Sequence, residues 1–181
     1  MRVFKRVLLD TSNLFVSKDP SKLFNCCEAF RALIFPFKYE HIYIPHLPQE
    51  LLDRADIPMS FILGIEQRFF EESKSHIRDG TYIIQLDDDR IWQQPHTSVT
   101  LNRLGTTKDI SIDDLPELPN TMHRKLTSHV KEIVKKTRGR RLLNEDEIDM
   151  IRELFFNFFC NLLRHYYEGQ KESDWKKKDK N

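Results

Sequence analysis

The carboxylates are the residues of this chain whose types and spacing best suit chemistry. Asp10 closes the apolar run in VLLDTSN. A carboxylate at the end of a first strand is a common start for a divalent-metal cluster. Glu50, the triplet Asp87–Asp89 and the pair Asp113–Asp114 are the other acids such a cluster could draw on. A plainer account has Asp10 and Thr11 forming an Asx-type turn after a strand, and the triplet forming a solvated loop. The seven histidines are scattered, and the nearest pair, His41 and His46, has Pro45 between its members and cannot share a helix face. No CxxC is present, so no metal is expected. The five glycines make neither GxGxxG nor a P-loop, so no nucleotide cofactor is expected. No residue is assigned a catalytic role.

A second concentration of charge lies in residues 122–141. Arg124, Lys125, Lys131, Lys135, Lys136, Arg138, Arg140 and Arg141 stand there against one acid, Glu132. Cations near a helix C-terminus are favoured by the helix dipole, and a solvated basic face is the simplest reading. No aromatic residue is interleaved for base stacking, so no nucleic acid is expected. If the run has a partner, an anionic membrane surface against residues 124–141, or an acidic protein, fits it better.

The elements that must position these groups follow from periodicity and punctuation. Val3–Leu9 reads as a strand. Asp19-Pro20 reads as an N-cap with proline at the first helical position. Leu23, Cys27, Phe30 and Ile34 then recur as one buried helix face, ended near Phe35 by Pro36. Strand His41–Ile44, helical turn Gln49–Ala55, strand Ser60–Ile65 and helix Glu66–Ser73 follow. Asp79-Gly80 marks a turn before strand Thr81–Leu86. Alternating strands and helices favour a mostly parallel sheet with right-handed crossovers. Residues 88–119 read as irregular. A helix beginning at Asn120 or Thr121 turns Leu126, Val130, Ile133 and Val134 inward, and Gly139 ends it. Asn144 and Glu147 form a capping box for a last helix running to about Tyr167. Its Phe155, Phe156, Phe158 and Phe159 read as core, and Asp149, Glu153, Asn157, Asn161, Arg164 and Glu168 as a polar stripe. The expected fold class is α/β, a mostly parallel sheet with flanking helices, followed by an all-α helical module. The expected divisions are 1–92, a linker 93–118, a helical module 119–168 and a disordered polar tail 169–181.

Composition narrows the function classes. The chain has 181 residues, a net charge of +1 and 31% charged residues, so no global charge imbalance points to a polyanionic partner. The hydrophobic fraction of 39% and mean hydropathy of −0.57 are low for a self-contained globule. Cys26, Cys27 and Cys160 do not make a disulfide framework, and a reducing, cytoplasmic setting is expected. The N-terminus lacks the pattern of a secretory signal. The longest apolar run, residues 154–163, is far shorter than the ~20 residues of a membrane span.

The specificity of the sequence lies in HIYIPHLPQELLDRADIPMSFILGIEQRFF, residues 41–70, where apolar residues alternate with prolines too closely spaced for a helix. From Phe30 through this run the chain resembles the central part of a DENN domain. The matching landmarks are Phe35-Pro36-Phe37, Tyr43-Ile44-Pro45, Leu47-Pro48, Leu51-Leu52-Asp53, Pro58, Phe61 and Gly64. YIIQLDDDRI, LPELPNTMHRKL and ELFFNFFCNLLRHY are similar, in order, to later parts of that family, the last two to its downstream helical module. The resemblance implies binding to a Rab-family small GTPase and promotion of GDP/GTP exchange in membrane traffic, in the cytoplasm and transiently at membranes. It implies that exchange comes from pulling the GTPase switches away from the nucleotide, with no covalent chemistry. Pro45, His46, Gln49, Glu50 and Asp53, with His123 and Arg124 at the start of the later helix, are the expected Rab contacts. An upstream longin-like module has no counterpart here, so the chain reads as a fragment beginning inside the central module, and GTPase activation finds no support. A binding-only remnant is one alternative. The other is a metal-dependent ribonuclease, because VLLDTSN also resembles the opening of PIN-type nucleases.

Overall fold

A computed structural model describes residues 2–54, 56–94, 120–137 and 143–178. They form two compact units, one of a sheet and its flanking helices, the other of residues 33–38 with two long helices.

The sheet unit holds five strands in the order β2-β3-β1-β4-β5. β1 (Asn13–Ser17) is central, parallel to β3 (Phe61–Glu66) on one side and to β4 (Tyr82–Gln85) on the other. β2 (Ile42–Ile44) lies parallel outside β3, and β5 (Arg90–Gln93) returns antiparallel to β4. All five residues of β1 are buried, as expected of a central strand covered on both faces. Register decides the two faces. Leu14, Val16, Phe61, Leu63, Ile65 and Ile83 join Leu47, Leu52, Phe70 and Ile77 in one apolar cluster. That face is covered by the 3-10 helix Gln49–Arg54 and by α3 (Gln67–Ser73). The opposite face carries Phe15 and Tyr82, which meet α2 (Pro20–Leu33) and α1 (Arg2–Leu8). Phe15 lies 5.4 Å from the ring of Phe30, and the buried Arg6 guanidinium sits 4.4 Å over Tyr82.

The start of α2 follows its sequence signal. The Asp19 carboxylate accepts the Ser21 N–H at 2.9 Å, Pro20 occupies the first turn, and Leu23 and Cys27 are fully buried. The strands expected at 41–44, 60–65 and 81–86 and the helical segments at 49–55 and 66–73 are present within a residue or two.

Two expectations in this unit fail. Val3–Leu9 is helical, not a strand, with Phe4 and Val7 each 2% exposed on its inner face. The first strand lies later, at NLFVS, in the stretch read as a polar turn. Residues 88–119 were expected to be irregular, yet Arg90–Gln93 form β5. Leu86–Asp89 make the hairpin turn, with Asp89 at φ 52°. The remainder of the expected linker, and Arg138, Gly139, Arg140 and Arg141, lie outside the described residues.

In the helical unit, α4 (Asn120–Thr137) packs on α5 (Glu145–Lys178). The expected capping box is formed: the Glu147 N–H donates to Asn144 Oδ1 at 2.8 Å, and the Asn144 N–H donates to Glu147 Oε2 at 3.0 Å. Leu126, Phe155, Phe158 and Phe159 are buried. Val134 and Phe156, expected to face inward, are 60% and 40% exposed, because a single neighbouring helix covers only part of a circumference. The FPF segment packs on α5, with Phe35 5.9 Å from Phe156 and Phe37 edge-on to Phe159 at 5.1 Å. The helix continues past the expected end near Tyr167, so the backbone of residues 169–178, expected as a disordered tail, is helical.

Candidate functional site

In parallel α/β sheets, ligands and partners are met at the carboxyl ends of the strands, where the connections from adjacent strands leave to opposite faces. Here β1 leads to α2 on one face and β3 leads to α3 on the other. The switch point therefore lies between Ser17 and Glu66.

The carboxyl ends of β2 and β3 hold the turn that the sequence singled out. Gly64 allows this turn to close down on the sheet. A Cβ built on it would lie 2.0 Å from the Pro45 carbonyl oxygen and 2.9 Å from Leu23 Cγ. The Leu47 N–H then donates to the Gly64 carbonyl at 2.7 Å. Leu47 and Leu52 are anchored in the core at 4% and 3% exposure. Their neighbours His46, Pro48, Gln49, Glu50, Leu51 and Asp53 face solvent. Among the family landmarks, Phe61 and Leu52 are core, while Pro58 is exposed and its carbonyl accepts from Arg78.

His46 Nε2 approaches Glu66 Oε1 at 3.0 Å, and Arg68 Nε lies 2.8 Å from Glu66 Oε2. Hydrogen bonds from Arg68 first, then His46, hold the Glu66 carboxyl below its ordinary range. Polar groups thus frame the turn in fixed positions beside the switch point.

On the other side of that point, the chain supplies its own anion. Asp87, in the hairpin turn, accepts from the Lys18 N–H at 2.7 Å, from Ser17 Oγ at 3.2 Å and from Lys22 Nζ at 3.0 Å. The Lys18 N–H contributes most, with Lys22 and Ser17 adding to it, and together they hold the Asp87 carboxyl below its usual value. The start of the helix after a first parallel strand is where many α/β proteins bind phosphate. In this chain the position is filled by Asp87 and by the Asp19 cap. A cavity of about 330 Å³ lies next to it, lined in part by Gln67, Phe70, Lys74, Gln85 and Trp92.

The nuclease reading loses its geometry. Asp10 does not end a strand. It lies beyond the C-terminus of α1, at φ 51°, where the Asp10 N–H meets the Val7 carbonyl at 3.2 Å and the Thr11 N–H meets the Arg6 carbonyl at 3.1 Å. That hydrogen-bond pair is a Schellman cap. Asp10 also precedes β1, whereas Asp87 follows β4, so the parallel strands place one at their amino ends and the other at their carboxyl ends. The Asp10 carboxylate instead lies 3.4 Å from His41 Nε2. Asp113 and Asp114 lie outside the described residues. Among the described residues, no three His, Cys, Asp or Glu side chains are grouped as metal ligands.

The expected contact residues fall into two sets. Pro45, His46, Gln49, Glu50 and Asp53 share the turn after β2, whereas His123 and Arg124 are exposed in the first turns of α4, in the other unit. The Asp87 latch was missed by sequence reasoning. Its signal was the acidic triplet itself, which reads as a loop unless β5 is recognised after it.

A turn of exposed polar residues, closed down on the sheet at Gly64, thus stands beside a self-filled anion position. Residues 1–89 match the family model of the DENN (AEX-3) domain. Similar proteins extend the likeness beyond that match. DENN domain-containing protein 2D of Homo sapiens is 24% identical over 166 residues, 92% of this chain and 31% of that protein. DENN domain-containing protein 2A of Mus musculus is 24% identical over 164 residues, 91% of this chain and 16% of that protein. DENN domain-containing protein 1A of Xenopus laevis is 28% identical over 133 residues, 74% of this chain and 12% of that protein. The chain thus spans a third or less of the length of these relatives. No helix among the described residues is long and apolar enough to cross a membrane.

Proposed function

We propose that this chain binds a Rab-family small GTPase and promotes its GDP/GTP exchange, in the cytoplasm and transiently at membranes. The observation that carries the reading is the turn after β2. It is locked to the sheet at Gly64 and presents His46, Gln49, Glu50 and Asp53 to solvent on a fixed backbone. Surface exchange needs no reagent residue. A factor that binds the nucleotide-free GTPase more tightly than the GDP-bound form lowers the affinity for GDP by the same coupling free energy. A preformed turn suits that task because little ordering entropy is lost on binding. In this reading α4 and α5 are the downstream helical module, and His123 and Arg124 are further candidate contacts on it.

Release of a fluorescent GDP analogue from a panel of Rab proteins tests the proposal. Acceleration with at least one member, lost in a Gln49→Ala/Glu50→Lys variant, is the expected result. No acceleration with any member removes exchange. Capture of a Rab without acceleration leaves a binding-only DENN module.

A further inference from the structure

The exposed side of α4 carries a feature of which the GTPase reading uses only Arg124. Arg124, Lys131 and Lys135 recur at i, i+7 and i+11, within roughly 20° of one line along a helix of 3.6 residues per turn. All three are exposed, on the side opposite the buried Leu126 and half-buried Ile133. None has an acidic partner among the described residues. The single acid of α4, Glu132, lies on the flank and is engaged by Lys136 at 2.9 Å. Three further arginines follow in sequence at 138, 140 and 141.

We infer that this stripe is a docking surface for an anionic lipid bilayer. The stripe spans roughly 16 Å at 1.5 Å per residue. Its charges are spaced close to one Debye length, about 8–10 Å at physiological ionic strength, so they act jointly on a charged plane. The apolar side of α4 is occupied by α5, so the helix lies on the headgroups through charge alone and does not insert. Nucleic acid is the poorer match. The stripe has no aromatic residue for stacking, and the chain as a whole carries 28 acids against 29 Lys and Arg. Each surface cation contributes about 1 kcal/mol toward an anionic leaflet, equivalent to about fivefold in affinity. The contact is therefore weak and strongly dependent on salt.

Co-sedimentation of the full chain with phosphatidylcholine vesicles containing phosphatidylserine, at low ionic strength and without any GTPase, tests the inference. A Lys131→Glu/Lys135→Glu variant should bind roughly thirtyfold more weakly, from the loss of two cations at about fivefold each. Its helical circular dichroism should be unchanged, because both side chains are exposed and outside the α4–α5 contact. Binding should also fall steeply as salt is raised and be absent on pure phosphatidylcholine. Any of three results overturns the inference. The first is a double variant that binds as well as the parent chain. The second is loss of binding on reversal of Lys176, Lys177 and Lys178 while the stripe variant retains it. The third is tighter binding of the parent chain to a DNA duplex than to the vesicles at the same ionic strength. Arg124 is left in place because it belongs to the proposed GTPase contact, so nucleotide release in solution should be unaffected by the double variant.

Discussion

In the sheet unit, β1 buries every one of its residues, and a single missing Cβ decides where the next turn runs. In the helical unit, α4 buries only Leu126 fully among its described side chains, and the order of α5 begins with two reciprocal hydrogen bonds at Asn144 and Glu147. The two units illustrate different ways of holding a surface. A buried parallel sheet fixes its loops sterically, so changes there are felt in full. A helix pair distributes its hold over partly exposed contacts, so changes there are graded.

The sharpest way to break this contrast is Gly64→Val. Overpacking a buried site costs about 1–3 kcal/mol, and here the nearest atom is a backbone carbonyl that cannot move aside as a side chain would, so about 3 kcal/mol or more is expected. Urea denaturation reads the loss, and a change below about 1 kcal/mol would show that the turn after β2 is not locked. Leu126→Ala is the counterpart in the helical unit, with an expected cost of about 2–3 kcal/mol. Hydrogen exchange should rise along α4 while β1, β3 and β4 stay protected; equal loss in the strands would mean that the units do not melt separately.

Asp87→Asn probes the latch and should cost about 1 kcal/mol at neutral pH, a value reduced by solvent around a partly exposed group. The folded-state pKa of Asp87 is depressed, so its contribution is complete above the unfolded carboxylate range and is lost as pH falls through the depressed value. The difference between parent and variant should therefore be constant from neutral pH down to about 5 and shrink below the ordinary aspartate value of 3.8. A difference that grows on acidification would contradict the latch. Asn144→Ala is expected to have the smallest effect, about 1 kcal/mol or less, read as fraying at the start of α5 with little change elsewhere.

Much of this was legible in the sequence because local signals and tertiary demands coincide. Asp19-Pro20, Asp79-Gly80 and the Asn144–Glu147 box each act through their own backbone, and each appears where expected. The misreadings occur where context overrides composition. Val3–Leu9 is rich in Val and Leu, which suit a strand, but Phe4 and Val7 are one helical turn apart and that spacing prevails. β5 is four residues long, and Ile91 and Trp92 are too short an apolar run to mark a strand, so it is recognised only by its pairing with β4. The turn of the candidate site was visible as a pattern of prolines, whereas the Asp87 latch joins residues 69 and 70 positions apart and leaves no local trace. The basic run was visible as composition. Only the helix shows that three of its cations share one line.

Gly64 also constrains how this sequence can drift. Every amino-acid replacement of a glycine introduces a Cβ, so the position has no conservative neighbour, and no missense change there is silent in space. The nearest atom in that space, the Pro45 carbonyl oxygen, belongs to the backbone, so no change of side chain at position 45 makes room for a Cβ. Lineages that keep the turn must keep this glycine. A variant that has lost it should have remodelled the segment from Pro45 to Asp53 as well, so that the two changes are inherited together.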